Sequence, residues 1–145
     1  MGASKFFSSK QKKQITDAIK NAELNSSGEI RVHIENSCKI EALDRATEVF
    51  SKLQMQKTEL RNGVLFYVAI TDHKFAIIGD AGINTKVADN FWDEINSTVL
   101  SHFKNGNYAE GLSQGIIMAG DQLKKHFPHK DGDINELPDD ISFGK

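Results

Sequence analysis

The fold is decided by RNGVLFYVAITDHKFAIIGDAG, residues 61–82. The apolar run Val64 to Ile70 follows Asn62-Gly63 and is typical of a strand that is buried on both faces. A second apolar run, Phe75 to Ile78, follows a short polar link, so the two runs predict an antiparallel hairpin. Because a strand buried on both faces lies in the middle of a sheet, we expect other elements to cover this sheet on both sides.

The residues before the hairpin predict a βαβ unit. Residues 29–35 alternate between apolar and polar side chains, which is typical of a strand with one covered face and one polar face. Residues 42–53 repeat apolar side chains at intervals of three and four, which predicts a helix. Since a helical crossover joins parallel strands, the first two strands should be parallel and the hairpin's second strand antiparallel to them. The predicted sheet is therefore small and mixed.

Three more segments show helical spacing, over residues 8–25, 91–103 and 109–123. Helix starts are indicated by Ser8 with Gln11 and by Asp89 or Asn90. With the crossover helix, four helices flank the sheet, so the fold class is α/β, a three-layer α/β/α sandwich. We expect a single domain over residues 1–130 and an acidic, partly ordered tail over residues 131–145.

Composition excludes several classes of function. The net charge of -2 gives no electrostatic footprint for nucleic acid. The chain shows neither a run of about 18 apolar residues nor a leader sequence, so we expect a soluble cytoplasmic protein with no membrane insertion. Cys38 is the only cysteine, which excludes an intramolecular disulfide. The sequence also lacks a nucleophile elbow, a P-loop and a dinucleotide fingerprint.

The predicted topology gathers polar residues at one rim of the sheet. The starts of the two parallel strands and the end of the third strand meet there, which brings Glu29, Asn62 and Asp80 together. The helix after the hairpin opens with Trp92 and Asp93, and its first turn should lie near the same rim. Carboxylate and amide oxygens are the ligands that calcium and magnesium prefer. We therefore expect a calcium-type site, with magnesium as the alternative, whose ligands are Asp80, Glu29, Asp93 and Asn62, and with Trp92 as a pocket wall.

Each of these residues also has a simpler interpretation. Asp80 could cap a glycine-rich turn, Glu29 could face solvent, and Asp93 could stabilise the helix dipole. Trp92 could belong to the core. The histidines show no metal-binding spacing, so we expect all of them at the solvated surface: His33, His73, His102, His126 and His129.

The chain resembles the TPM domain family, named for a thylakoid-lumen phosphatase and its relatives. The resemblance is carried by SGEI at 27–30, RNGVL at 61–65, GDAGI at 79–83, FW at 91–92 and FKNGNY at 103–108. It covers most of the chain and is strongest to short bacterial members of uncharacterised role. It implies an α/β/α sandwich, a calcium-type site near the acidic rim, and the acid phosphatase activity claimed for a plant lumenal relative.

Three functions remain open from the sequence. In the first, a divalent cation orders the loops of a binding or regulatory module that docks another protein or a small anionic ligand. In the alternative, the cation supports acid phosphatase activity on phosphate monoesters, with attack by a bound water. The third is a metal-free scaffold. The sequence favours the binding module slightly.

Overall fold

A computed structural model describes residues 5–128 and 141–144 of the chain. The elements are, in chain order, α1 (Ser9–Leu24), β1 (Glu29–Glu35), α2 (Ala42–Lys52), a 3-10 turn (Met55–Lys57), β2 (Gly63–Ala69), β3 (Lys74–Gly79), α3 (Ala81–Asn84), α4 (Phe91–Lys104), α5 (Tyr108–His126) and β4 (Ser142–Phe143). α1 begins with the predicted capping box of Ser8 and Gln11. α4 begins after Asn90, whose side chain does not cap it.

The strands form one sheet in the order β3-β2-β1-β4. β1 and β2 are parallel, with Glu29 opposite Gly63. β2 and β3 are antiparallel, with Val64 opposite Gly79. The βαβ unit, the hairpin and the mixed sheet are therefore confirmed. Asp80 directly follows β3 and lies opposite Gly63, because its N–H donates to the Gly63 carbonyl (2.9 Å). Glu29, Gly63 and Asp80 therefore form a row across this rim of the sheet.

Helices cover both faces of the sheet, which gives the predicted three layers. Alternate residues of β1 and β2, such as Val32 and Phe66, pack into a large apolar core with α1, α4 and α5. The opposite face of β2, including Leu65 and Tyr67, packs with α2 and Met55 into a second core. All seven residues of β2 are buried, as its unbroken apolar run predicts.

The polar face of β1 differs from the sequence prediction. Glu29, His33 and Glu35 are only 2%, 6% and 3% exposed. The expectations that Glu29 could face solvent and that His33 lies at the solvated surface are therefore wrong. The Arg45 side chain of α2 reaches Glu35 on this face, and β4 pairs with the outer edge of β1 beside His33.

β4 and the short α3 are additions to the predicted three strands and four helices. The Gly144 N–H donates to the Ile34 carbonyl (2.8 Å), which extends the pairing of β4 with β1. Most of the predicted acidic tail, residues 131–140 and 145, lies outside the described residues. Among the helices that the structure describes, none is long and apolar enough to cross a membrane.

We expect Gly82→Ala to lower the free energy of unfolding by about 3 kcal/mol, because the added methyl group has no space. It would overlap the Leu60 carbonyl oxygen and lie 2.6 Å from that of Arg61, and both are backbone atoms that cannot rotate away.

Gly106→Ala is the control, since nothing lies within 4 Å of that position and only its φ of 77° disfavours a side chain. We expect it to lower the free energy of unfolding by about 1 kcal/mol. Urea denaturation of both variants measures the difference, and equal values would contradict the close packing at Gly82.

Candidate functional site

Asp80 is held by Arg61 and by the start of α3. Arg61 donates from Nε to Oδ2 (2.7 Å) and from Nη2 to Oδ1 (2.8 Å) of the carboxylate. The Ala81 N–H also donates to Oδ1 (2.7 Å), so Asp80 is the N-cap of α3. Asp80 thus has the capping role that the sequence left open, and a cation at this carboxylate would have to compete with the Arg61 guanidinium.

Glu29 and Asn62 lie side by side at the amino ends of β1 and β2. The Glu29 N–H donates to the Asn62 carbonyl (3.4 Å), and the Asn62 side-chain amide donates to the Ser27 carbonyl (3.2 Å). Asn62 is 1% exposed, and its Oδ1 atom makes no hydrogen bond with any part of the chain that the structure describes. The Thr58 hydroxyl oxygen in the preceding turn is also buried and also makes no hydrogen bond within the described residues. A buried oxygen without a donor is an unfavourable feature that a bound cation or water would relieve.

Gly63 separates Glu29 from Asp80 in the row across the sheet. Met55 covers the space above it, because a Cβ atom on Gly63 would lie 3.3 Å from the Met55 carbonyl oxygen and 3.6 Å from its methyl carbon. Glu29 and Asn62 are therefore neighbours through the backbone, and Asp80 lies beyond Gly63.

Trp92 and Asp93 lie along the outer edge of β3. The Trp92 indole N–H donates to Asn84 Oδ1 (2.8 Å), and its ring packs directly against Gly79. Both residues line a groove of about 580 Å³, which Glu29, Asn62 and Asp80 do not line. Over residues 5–128 and 141–144, no three Asp, Glu, His or Cys side chains form a group that could hold a metal ion. The metal roles of Asp80, Glu29, Asp93 and Asn62 stay predictions.

A second polar cluster lies at the carboxyl end of β1, and the sequence analysis missed it. Arg45 donates to both oxygens of Glu35, from Nε to Oε2 (2.8 Å) and from Nη2 to Oε1 (2.9 Å). The Tyr67 hydroxyl donates to Oε2, and His33 Nε2 lies 3.1 Å from Oε1. With Nε2 donating, the neutral ring accepts the Ser142 hydroxyl at Nδ1 (2.8 Å). One signal was present in the sequence: a tyrosine inside an apolar strand needs a partner for its hydroxyl group.

The cluster changes the proton affinities of its members. Burial opposes ionisation of Glu35, but the hydrogen bonds from Arg45, Tyr67 and His33 lower its pKa to about 2. Burial lowers the pKa of His33 from 6.5, against the opposing effect of Glu35. Burial and the Glu35 carboxylate raise the pKa of Tyr67. At neutral pH the cluster therefore contains a buried carboxylate, a neutral imidazole and a neutral phenol.

A cavity of about 570 Å³ opens beside this cluster. His33 and Glu35 lie at its wall, and the other ionisable side chains that line it are Cys38, Lys39, Arg45 and Lys52. Ligands of open α/β sheets bind outside the carboxyl ends of the parallel strands, which is where this cavity lies. Since Arg45 is already paired with Glu35, the two lysine side chains are the groups in this cavity that suit a small anion.

The comparisons with known proteins identify the family. The TPM domain model matches residues 3–122. The chain belongs to the TPM domain family. The NMR structure of the BA42 protein from the psychrophilic bacterium Bizionia argentinensis superposes on this TPM domain with a TM-score of 0.90, at 50% sequence identity and over 97% of each chain.

Two further structures share the fold. The N-terminal domain of the cg2496 protein from Corynebacterium glutamicum has a TM-score of 0.66 at 14% identity, over 81% of this chain and 74% of that one. An N-terminal domain from P. gingivalis has a TM-score of 0.68 at 21% identity, over 88% and 84%. No curated protein matches the TPM domain described here.

We expect Glu35→Gln to lower the free energy of unfolding by about 3–5 kcal/mol, because it leaves the Arg45 guanidinium without its buried carboxylate. Glu48→Gln is the matched control, since Glu48 contacts the same Arg45 (3.1 Å) but has a 58% exposed side chain. We expect less than about 1 kcal/mol from the control. Urea denaturation measures both variants, and similar losses would contradict the central position of Glu35 in the cluster.

Stability should fall on acidification in two ranges of pH. Below pH 6.5 the unfolded chain protonates His33 while the folded chain resists, because burial lowers the pKa of His33 in the fold. Glu35 adds a further loss between its usual pKa of 4.5 and the folded value of about 2. The test is the free energy of unfolding against pH for the wild type and for His33→Gln, which should flatten the slope just below pH 6.5. An unchanged slope there would contradict the assignment to His33.

Proposed function

We propose that this TPM domain is a binding module that takes a divalent cation, calcium with magnesium as the alternative, at the amino ends of β1 and β2. The observation that carries the proposal is the Asn62 Oδ1 atom, which is buried and makes no hydrogen bond within the described residues. The buried carboxylate of Glu29 lies on the neighbouring strand. A carboxylate and an amide oxygen are ligands of the type that calcium binds, and backbone carbonyls and water complete such sites.

Asp80 is the third proposed ligand, and it can bind the cation only if the Arg61 side chain moves away. The guanidinium occupies both carboxylate oxygens, in the place that a cation would take. Arg61 has a 51% exposed side chain, so it can swing into solvent at a small cost in stability. Cation binding would then exchange one positive partner of Asp80 for another. Asp93, in the first turn of α4, is the fourth proposed ligand, and it lines the groove beside β3 that the other three ligands do not line.

The ligand that the module binds is proposed to be a small anion or another protein. The cavity beside Glu35 supports the anion, because Lys39 and Lys52 line it and the charge of Glu35 is already matched by Arg45. The two ends of β1 are separated by six residue steps, or about 20 Å. A cation at one end and an anion at the other would therefore bind independently of each other, and each would be held by side chains of opposite charge. The cytoplasmic location stays a prediction.

The test is a calcium and magnesium titration of the metal-stripped protein, followed by amide NMR shifts for each residue. We expect shifts centred on Glu29, Asn62 and Asp80. Asn62→Ala should weaken binding about tenfold, since it removes a ligand oxygen. Arg61→Gln should strengthen cation binding several-fold, because the cation no longer has to displace the Arg61 guanidinium from Asp80. Asp121→Asn, an exposed change on α5, is the control and should have no effect.

Two results would contradict the proposal. Cation binding that neither Asn62→Ala nor Arg61→Gln alters would place the cation elsewhere. Hydrolysis of p-nitrophenyl phosphate on the same samples tests the phosphatase alternative, and turnover that chelation removes would replace the binding module by a metal-dependent phosphatase.

A further inference from the structure

The outer edge of β3 is open to solvent along a groove. Within the described residues β3 is the last strand of the sheet on its side, and no strand lies beyond it. The groove of about 580 Å³ follows the strand from Phe75 to Gly79. An open strand edge presents unpaired N–H and C=O groups that can pair with another extended chain.

The pairing with β2 shows which backbone groups of β3 point outward. The Asp80 N–H donates to Gly63 of β2, and in an antiparallel pair the residues that bond to the neighbour alternate with those that do not. Gly79, Ile77 and Phe75 therefore direct their backbone groups away from β2. The Asn84 side chain confirms this direction, because it donates to the Gly79 carbonyl (2.7 Å) from outside the sheet.

Both layers of the sandwich form walls around this edge. Leu43 and Thr47 of α2 stand on one side, and Trp92 and Asn96 of α4 stand on the other. Leu43 is 57% exposed, so its apolar side chain is accessible to a chain that docks along this edge. An added strand would direct alternate side chains toward the α2 wall and the α4 wall, so the walls can select apolar residues at alternate positions.

The ends of the groove differ. At the Gly79 end, Asn84 occupies the carbonyl and the Trp92 ring covers the backbone, which stops pairing there. At the other end, Lys74 is turned away from the edge, because its ammonium group donates to the carbonyls of Cys38 and Ile40 (2.9 Å each). An exposed lysine often protects an edge strand from pairing with another chain, but the Lys74 ammonium group does not lie along this edge. The open part of the edge is therefore Phe75 to Ile78.

The charge of the groove indicates what kind of chain it accepts. Glu41 and Asp93 are the charged side chains among the described residues that line it, one on each wall, and both are acidic. Two copies of this chain paired through β3 would bring these acidic walls together, which is unfavourable. A segment with lysine or arginine next to its apolar residues would instead be attracted.

We propose that the β3 edge is a docking site for an extended segment of another protein, which adds as a fifth strand beyond β3 and carries alternating apolar residues with lysine or arginine. The proposal does not depend on the cation site, because Glu29, Asn62 and Asp80 do not line the groove and Asp93 acts here through its own charge, without a cation. Main-chain hydrogen bonds to Phe75 and Ile77 supply affinity, and the two walls with their acidic residues supply selectivity.

The test begins with a display library of random eight-residue peptides selected on the intact chain. We expect the recovered peptides to alternate apolar residues and to be enriched in lysine or arginine. A synthetic copy of the most frequent peptide is then added to labelled protein, and the amides of Phe75 and Ile77 should shift and exchange more slowly with solvent. A library with no enrichment, or shifts centred on another surface, would overturn the proposal.

Paired charge reversals test the selectivity. Glu41→Lys with Asp93→Lys should weaken the peptide about tenfold, because both acidic walls become repulsive. Asp44→Lys with Glu94→Lys is the matched control: both residues lie in the first turns of the same helices and do not line the groove. We expect the control to change affinity by less than about twofold, since exposed charges away from the peptide are screened.

Equal effects of the two double variants would overturn the role of the acidic walls. Sedimentation of the free protein tests the remaining occupant, a second copy of this chain. A dimer that protects the Phe75 and Ile77 amides without peptide would also overturn the proposal.

Discussion

The Glu35 carboxylate is the group on which this structure depends most. It is almost completely buried, and a buried charge is tolerated only when it is paired and fully hydrogen-bonded. Arg45 comes from α2, Tyr67 from β2 and His33 from β1, so the donors that satisfy it belong to the three parts of the βαβ unit. These bonds therefore fix the position of α2 over the sheet in addition to the apolar contacts of that layer.

This arrangement leaves the two ends of β1 with different chemistry. At its carboxyl end the acidic group is already matched by Arg45, and the remaining lysines favour an anion. At its amino end, Asn62 keeps a buried oxygen without a donor among the described residues. The proposed function thus assigns the anion and the cation to opposite ends of one strand. The open edge of β3 is a third surface, and there the proposed partner binds mainly through hydrogen bonds to the backbone.

The sequence predicted the fold well because its strongest signals are local. The apolar run of β2 and the helical repeats specify burial, and the helical crossover then makes the first two strands parallel. The site was harder to predict. Proximity of Glu29 and Asn62 follows from the topology, but the pairing of Asp80 with Arg61 depends on a loop residue with φ of 52°, which no pattern indicates. β4 was missed because a strand of two residues has no periodicity.

The pairing of His33 with Ser142 spans 109 residues of sequence and therefore affects the order of folding. Contacts between distant residues form slowly because a long loop must close first, while the βαβ unit and the hairpin use much shorter loops. β4 accordingly belongs to the last part of the sheet to assemble and, since it has two residues, to the first part to open. Local opening there would admit water to His33 and Glu35 while the other three strands stay paired. The exposure of the His33 and Glu35 side chains would then depend on the pairing of a single short strand.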